Sequence, residues 1–126
     1  MLRGSYLCGA VCYQVTGDVY GLSVCHCSQC RKQSGHLWAS AYVPDDQLQI
    51  TQDKGLKWFA SSGVAKRGFC GGCGAFMFWK MLGEDSISFS LGSLDQPTGL
   101  QLQKHIFVAD KGDYYKISDD LPQHGK

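Results

Sequence analysis

Cys25, Cys27 and Cys30 fall within six residues of the stretch "VCHCSQCRKQSG", a spacing that converges three sulfurs on one point. A disulfide uses two thiols and a closed zinc tetrahedron four. Three is the number expected of a zinc that keeps one position open to water or substrate. A second set, Cys70 and Cys73, lies among the glycines of "FCGGCGAF". The two-residue gap lets both sulfurs face one metal, and the glycines permit the tight backbone that turns amides towards the thiolates, as in a zinc knuckle. The other use of a CxxC pair, thiol redox chemistry, belongs at a helix N-terminus in a βαβ setting, which these residues lack. A knuckle supplies only two ligands, so the rest must come from elsewhere, with Cys8 and Cys12 in "YLCGAVC" as the candidates. Cys8, Cys12, Cys70 and Cys73 for a closed site that holds the fold, and Cys25, Cys27 and Cys30 for an open site that does work, account for all seven cysteines.

The elements that must carry these residues read as strands. Short apolar or aromatic runs, broken by turn residues and accompanied by 16 glycines, predict strands over 3–8, 10–15, 21–25, 37–43, 48–51, 56–61, 65–69, 75–80, 86–94, 104–109 and 114–117. In "SISFSL" serine alternates with Ile, Phe and Leu, the period of a sheet with one wet face. Helical spacing is nearly absent. Its best candidate is a turn or two over "SQCRKQ", with Ser28 placed to cap the start. The expectation is a mainly β, antiparallel fold with at most one short helix, formed by residues 1–126 as a single domain.

Composition narrows the partners. A formal charge of +1 with scattered lysines and arginines offers no basic stripe for nucleic acid. No apolar run approaches the ~20 residues of a membrane-spanning helix, and "MLRGSYLCGA" lacks the order of a secretory signal. A cytoplasmic location is therefore expected, where thiols stay reduced. An odd number of clustered cysteines there points to metal rather than to disulfides.

"GSYLCGAVCYQV", "VCHCSQCRKQSG", "FCGGCGAFMF", "LGSLDQP", "KHIFV" and "ISDDLPQH" together resemble, in order and rough spacing, the glutathione-dependent formaldehyde-activating enzyme family, which includes centromere protein V-like domains. The resemblance spans nearly the whole chain. It implies an Mss4-like β fold with two zinc sites, structural at Cys8, Cys70 and Cys73 and working at Cys25, Cys27 and Cys30. It also implies a carbon–sulfur lyase activity that reversibly joins a small thiol, glutathione, to a small aldehyde, formaldehyde, as S-hydroxymethylglutathione. One position departs: the family opening Cys-x-Cys-Gly is "YLCG" here, with Tyr6 in place of the first cysteine. Either the structural site has three protein ligands or Cys12 has replaced the missing one.

On this reading zinc would hold the glutathione sulfur as a thiolate for attack on the aldehyde. Arg31 and Lys32, directly after the third ligand, are candidates to bind the carboxylates of glutathione, and equally plain surface charges. His26, between two ligands, is expected to point away from the metal, and His105 to be a structurally satisfied histidine. Trp38, Trp58, Phe76, Phe78 and Trp79 are core candidates, some of them able to wall a pocket. Two other functional classes fit the same cysteines: a non-catalytic zinc module that binds a partner, and a thiol or metal-handling protein using "CHCSQC".

Overall fold

Residues 1–126 form two sheets packed face to face in the computed structural model. The elements are β1 (Leu2–Ser5), β2 (Val11–Val15), β3 (Tyr20–Cys25), α1 (Ser28–Ser34), β4 (Trp38–Pro44), β5 (Leu48–Asp53), β6 (Leu56–Ala60), β7 (Ala65–Cys70), β8 (Phe76–Met81), β9 (Ser86–Ser90) and β10 (Lys104–Ile106). A three-stranded sheet runs β1-β2-β5, and a seven-stranded sheet runs β10-β3-β4-β9-β8-β7-β6. The fold is mainly β with one short α-helix, as the sequence predicts.

Three details differ from the expectation. β10 pairs with β3 in parallel rather than antiparallel, with Lys104, His105 and Ile106 opposite Ser23, Val24 and Cys25. Residues 114–117 are not a strand. The tail passes through turns and is tied to β10 by His105 N–H to Pro122 O at 2.9 Å and His124 N–H to His105 O at 2.9 Å. The helix is capped by Cys27 rather than by Ser28, its sulfur accepting the Cys30 N–H at 3.3 Å. Its other end stops at Gly35, whose φ of 90° is open to glycine and strained for other residues.

The strand period of two gives the large sheet two different faces. On one, Leu22, Ala41, Val43, Phe78 and Phe89 meet Tyr6, Val11, Tyr13 and Val15, contributed by the small sheet and its first turn, in a single apolar cluster. Tyr13 sets its ring edge against Phe78 at 5.1 Å between centroids and against Phe89 at 6.0 Å. The opposite face presents Ser23, Cys25, Trp38, Ser40, Ala65, Arg67, Trp79 and Ser88, and α1 covers one end of it. Ser88, the middle serine of "SISFSL", thus looks into a cavity rather than into bulk solvent.

Phe78 is fully buried at the centre of the core. Phe78→Ala should destabilise the protein by about 3–5 kcal/mol in denaturant unfolding, the usual cost of emptying an aromatic site in a packed core.

Candidate functional site

Cys25 ends β3 on the cavity face, and the chain then turns through His26 into α1, so that Cys27 caps the helix and Cys30 sits in its first turn. The three Sγ atoms lie within 4.8 Å of one another. Cys25 and Cys30 are buried, and Cys27 is half-buried. The neighbouring Cys25 thiol pushes the Cys30 thiol towards ionisation despite its burial, with help from the Arg67 guanidinium, and Cys30 together with burial pushes Cys25 up.

Arg67 is the site residue that the sequence analysis missed. It is 5% exposed and projects from β7. Its Nη1 donates to Cys30 Sγ at 3.4 Å and to Gln33 Oε1 at 3.3 Å, and its Nη2 donates to Gln29 Oε1 at 3.3 Å. The guanidinium also lies over the Phe76 ring at 5.4 Å. The available signal was parity: Arg67 shares a strand face with apolar Ala65, a position where a charge requires partners.

Cys25, Cys27 and Cys30 open on a cavity of about 510 Å³ walled by Trp38, Trp79, Val64 and Ile106. Neither Arg31 nor Lys32 lines it; Lys32 faces a separate depression shared with Phe59. The helix turns both away from the cavity, and Arg67 from across the sheet stands at the triad instead.

The second cluster joins Cys8, in the turn after β1, to Cys70 at the end of β7 and Cys73 in the knuckle, again with all sulfurs within 4.8 Å. Cys8 and Cys70 are 3.5 Å apart. The knuckle behaves as its glycines require. Gly72 N–H and Cys73 N–H each donate to Cys70 Sγ at 3.3 Å, and Gly74, at φ 79°, closes the turn onto Cys70 O at 2.9 Å. The backbone N–H of Ala75 leads in holding the Cys73 thiol down at about 7.

The structure does not bring Cys12 to this cluster. Alternation along β2 buries Val11 and Tyr13 and turns Cys12 to the other face, where its Sγ meets Gly9 O at 3.5 Å. The residue facing the cluster is Tyr6, 2% exposed, whose hydroxyl has no hydrogen-bond partner. Burial, followed by the charge of Cys70, pushes its phenol well above the ordinary range. Three converging sulfurs with backbone donors, beside an orphaned hydroxyl, form a donor set that fits a thiophilic divalent ion such as zinc.

Behind the first cluster, His26 is buried and linked to the tail. His26 Nε2 and His105 Nδ1 are 2.9 Å apart, and His105 Nε2 lies 3.0 Å from both carboxylate oxygens of Asp119. The carboxylate can only accept, so His105 donates to it from Nε2. With both rings neutral, His26 donates to His105, and Tyr115 Oη–H donates to His26 Nδ1. Burial and the neighbouring His105 lower the proton affinity of His26, consistent with a neutral ring.

The fold and these clusters define a double-sheet β protein with two three-cysteine sites able to hold metal, one of them open to a cavity. The chain belongs to the glutathione-dependent formaldehyde-activating enzyme family, whose model matches residues 1–110. An uncharacterized lyase of Schizosaccharomyces pombe is 23% identical over 122 residues, covering 93% of this chain and 85% of that protein. A Rhodobacter sphaeroides protein of known crystal structure, 23% identical, shares the fold with a TM-score of 0.57, over 79% of this chain and 90% of its own. No helix is long and apolar enough to cross a membrane.

Two predictions follow from this geometry. Elemental analysis of purified protein should find nearly two zinc ions per chain, one for each triad, with the count unchanged in Cys12→Ser and reduced by one in Cys27→Ser. Cys73→Ser should also lower thermal stability markedly, because metal binding at a site that ties the first turn to the knuckle is folding free energy, on the order of 10 kcal/mol in zinc-finger peptides. The other concerns acid. The hydrogen bond from His105 lowers the Asp119 carboxyl below its ordinary 3.8, so its stabilisation is present above that value and lost as pH falls through the folded one. Asp119→Asn should flatten this acid limb in pH-dependent melting.

Proposed function

We propose that the protein is a zinc-dependent carbon–sulfur lyase of its family's type, reversibly joining a small thiol, glutathione or a relative, to formaldehyde as the S-hydroxymethyl adduct. The observation that carries this reading is the position of Cys25, Cys27 and Cys30 in a cavity wall, whereas Cys8, Cys70 and Cys73 do not line that cavity. Cys25, Cys27 and Cys30 would hold the zinc, which supplies a Lewis acid able to keep a substrate sulfur as thiolate near neutral pH.

The chain's own residues prepare the reaction. Arg67 sets a fixed positive charge against Cys30 and offsets part of the negative charge that three thiolates concentrate. Trp38, Trp79 and Ile106 give the reacting end of the cavity an apolar wall against which the thiol and the aldehyde align. In the forward direction the thiolate sulfur forms a bond to the aldehyde carbon, the carbonyl π pair moves to oxygen, and that oxygen takes a proton from solvent. The reverse reaction removes that proton, re-forms the carbonyl and releases the thiolate as the carbon–sulfur bond breaks.

Exchange between labelled formaldehyde and S-hydroxymethylglutathione, followed by NMR exchange broadening, should run faster with protein than without it. The acceleration should vanish in Cys27→Ser and survive in Cys12→Ser at matched zinc and pH. Equal rates with the parent and Cys27→Ser would remove the lyase reading.

A further inference from the structure

The cavity floor is ordered in rows by strand register. Nearest the triad, Ile106, Cys25 and Trp38 stand side by side on β10, β3 and β4. Two residues back along the same strands, Lys104, Ser23 and Ser40 form a parallel row. Alternation keeps both rows on one face, and all six residues line the cavity. A step of two residues is about 7 Å along a strand.

The chemistry of the second row is unspent. Ser23 and Ser40 are buried, yet their hydroxyls take part in none of the protein's side-chain hydrogen bonds. Lys104 is half-buried and joins neither of the two ion pairs in the structure, Lys80 with Asp45 and His105 with Asp119. An unpaired ammonium at the end of a row of two free hydroxyls is a receptor for an anionic oxygen group, because each supplies a donor and none is engaged elsewhere. The other cation on the cavity wall, Arg67, is already committed to Cys30, Gln29 and Gln33. Asp110 is the one acid of the lining, and Lys104 does not pair with it.

We infer that Lys104, Ser23 and Ser40 bind the carboxylate of the substrate thiol, so that the open site selects short mercaptocarboxylates whose charge lies one row from the sulfur. The carbon chain between the two groups lies against Trp38 and Ile106, and glutathione enters only as one thiol that carries a carboxylate within reach. This inference rests on the open-site reading above, and the experiment separates the two.

Cobalt(II) in place of zinc reports a thiol at the triad through its absorption spectrum. Titration of the cobalt protein with mercaptobutyrate and with its uncharged amide should show the carboxylate binding about tenfold more tightly, the scale of one charge-assisted contact. In Lys104→Met the two should bind alike, at the affinity of the amide. Lys104→Arg should retain most of the preference, and Asp110→Asn should not reduce it. Equal binding of acid and amide to the parent protein, or equal weakening of both in Lys104→Met, would overturn the carboxylate row while leaving the open site intact. If neither thiol alters the cobalt spectrum, the open-site reading fails and this inference fails with it.

Discussion

Two groups of three sulfurs, each within 4.8 Å, are the constraint around which this structure is arranged. Thiolates that close repel one another, by about 4 kcal/mol per pair at 4 Å with an effective dielectric near 20. Without a cation the sulfurs must share protons, and the opposite displacements of Cys25 and Cys30 express that sharing. Convergence of this kind therefore suits a divalent ion, which either triad could hold. Arg67 adds a fixed countercharge at one cluster, and the knuckle N–H groups of Gly72 and Cys73 add partial positive charge at the other.

Strand β7 links the two clusters. Arg67 and Cys70 are three residues apart, and an odd separation along a strand sends side chains to opposite faces. Arg67 consequently reaches Cys30 on the cavity face, and Cys70 joins the core between the sheets. The knuckle cluster sits at the end of the strand whose other face completes the cavity cluster. The two clusters thus share one element, and loosening of the knuckle would move Arg67.

Histidines perform a related task at the back of the first cluster. His26 is confined between Cys25 and Cys27 and has backbone N–H bonded to Ile106 O at 3.1 Å, while its ring is held through His105 and the tail residues Tyr115 and Asp119. A second tail contact joins His36 Nδ1 to Tyr114 Oη at 2.8 Å. Both tyrosines and Asp119 lie beyond the residues 1–110 matched by the family model. The irregular C-terminal segment therefore braces the loop that carries Cys25 and Cys27.

Local pattern by itself determined most of the strands, the single helix, one three-sulfur set and the CxxC pair of the other, because alternation, turn glycines and cysteine spacing act over a few residues. The spacing in "CHCSQC" needs only the end of one strand and one helical turn to converge, and "CGGC" needs only its own tight turn. Long-range placement was decided by the tertiary structure. Cys12 looked available beside Cys8, but the pleat of β2 turns it away while Tyr6 faces the cluster. Arg31 and Lys32 follow Cys30 in the chain, but the cation at the triad is Arg67, 37 residues beyond Cys30 and brought there by sheet order. The row of Lys104 with Ser23 and Ser40 depends on a parallel pairing between distant strands. Periodicity specifies which face a side chain occupies; only register and sheet order, which are global properties of the packed chain, specify what stands beside it.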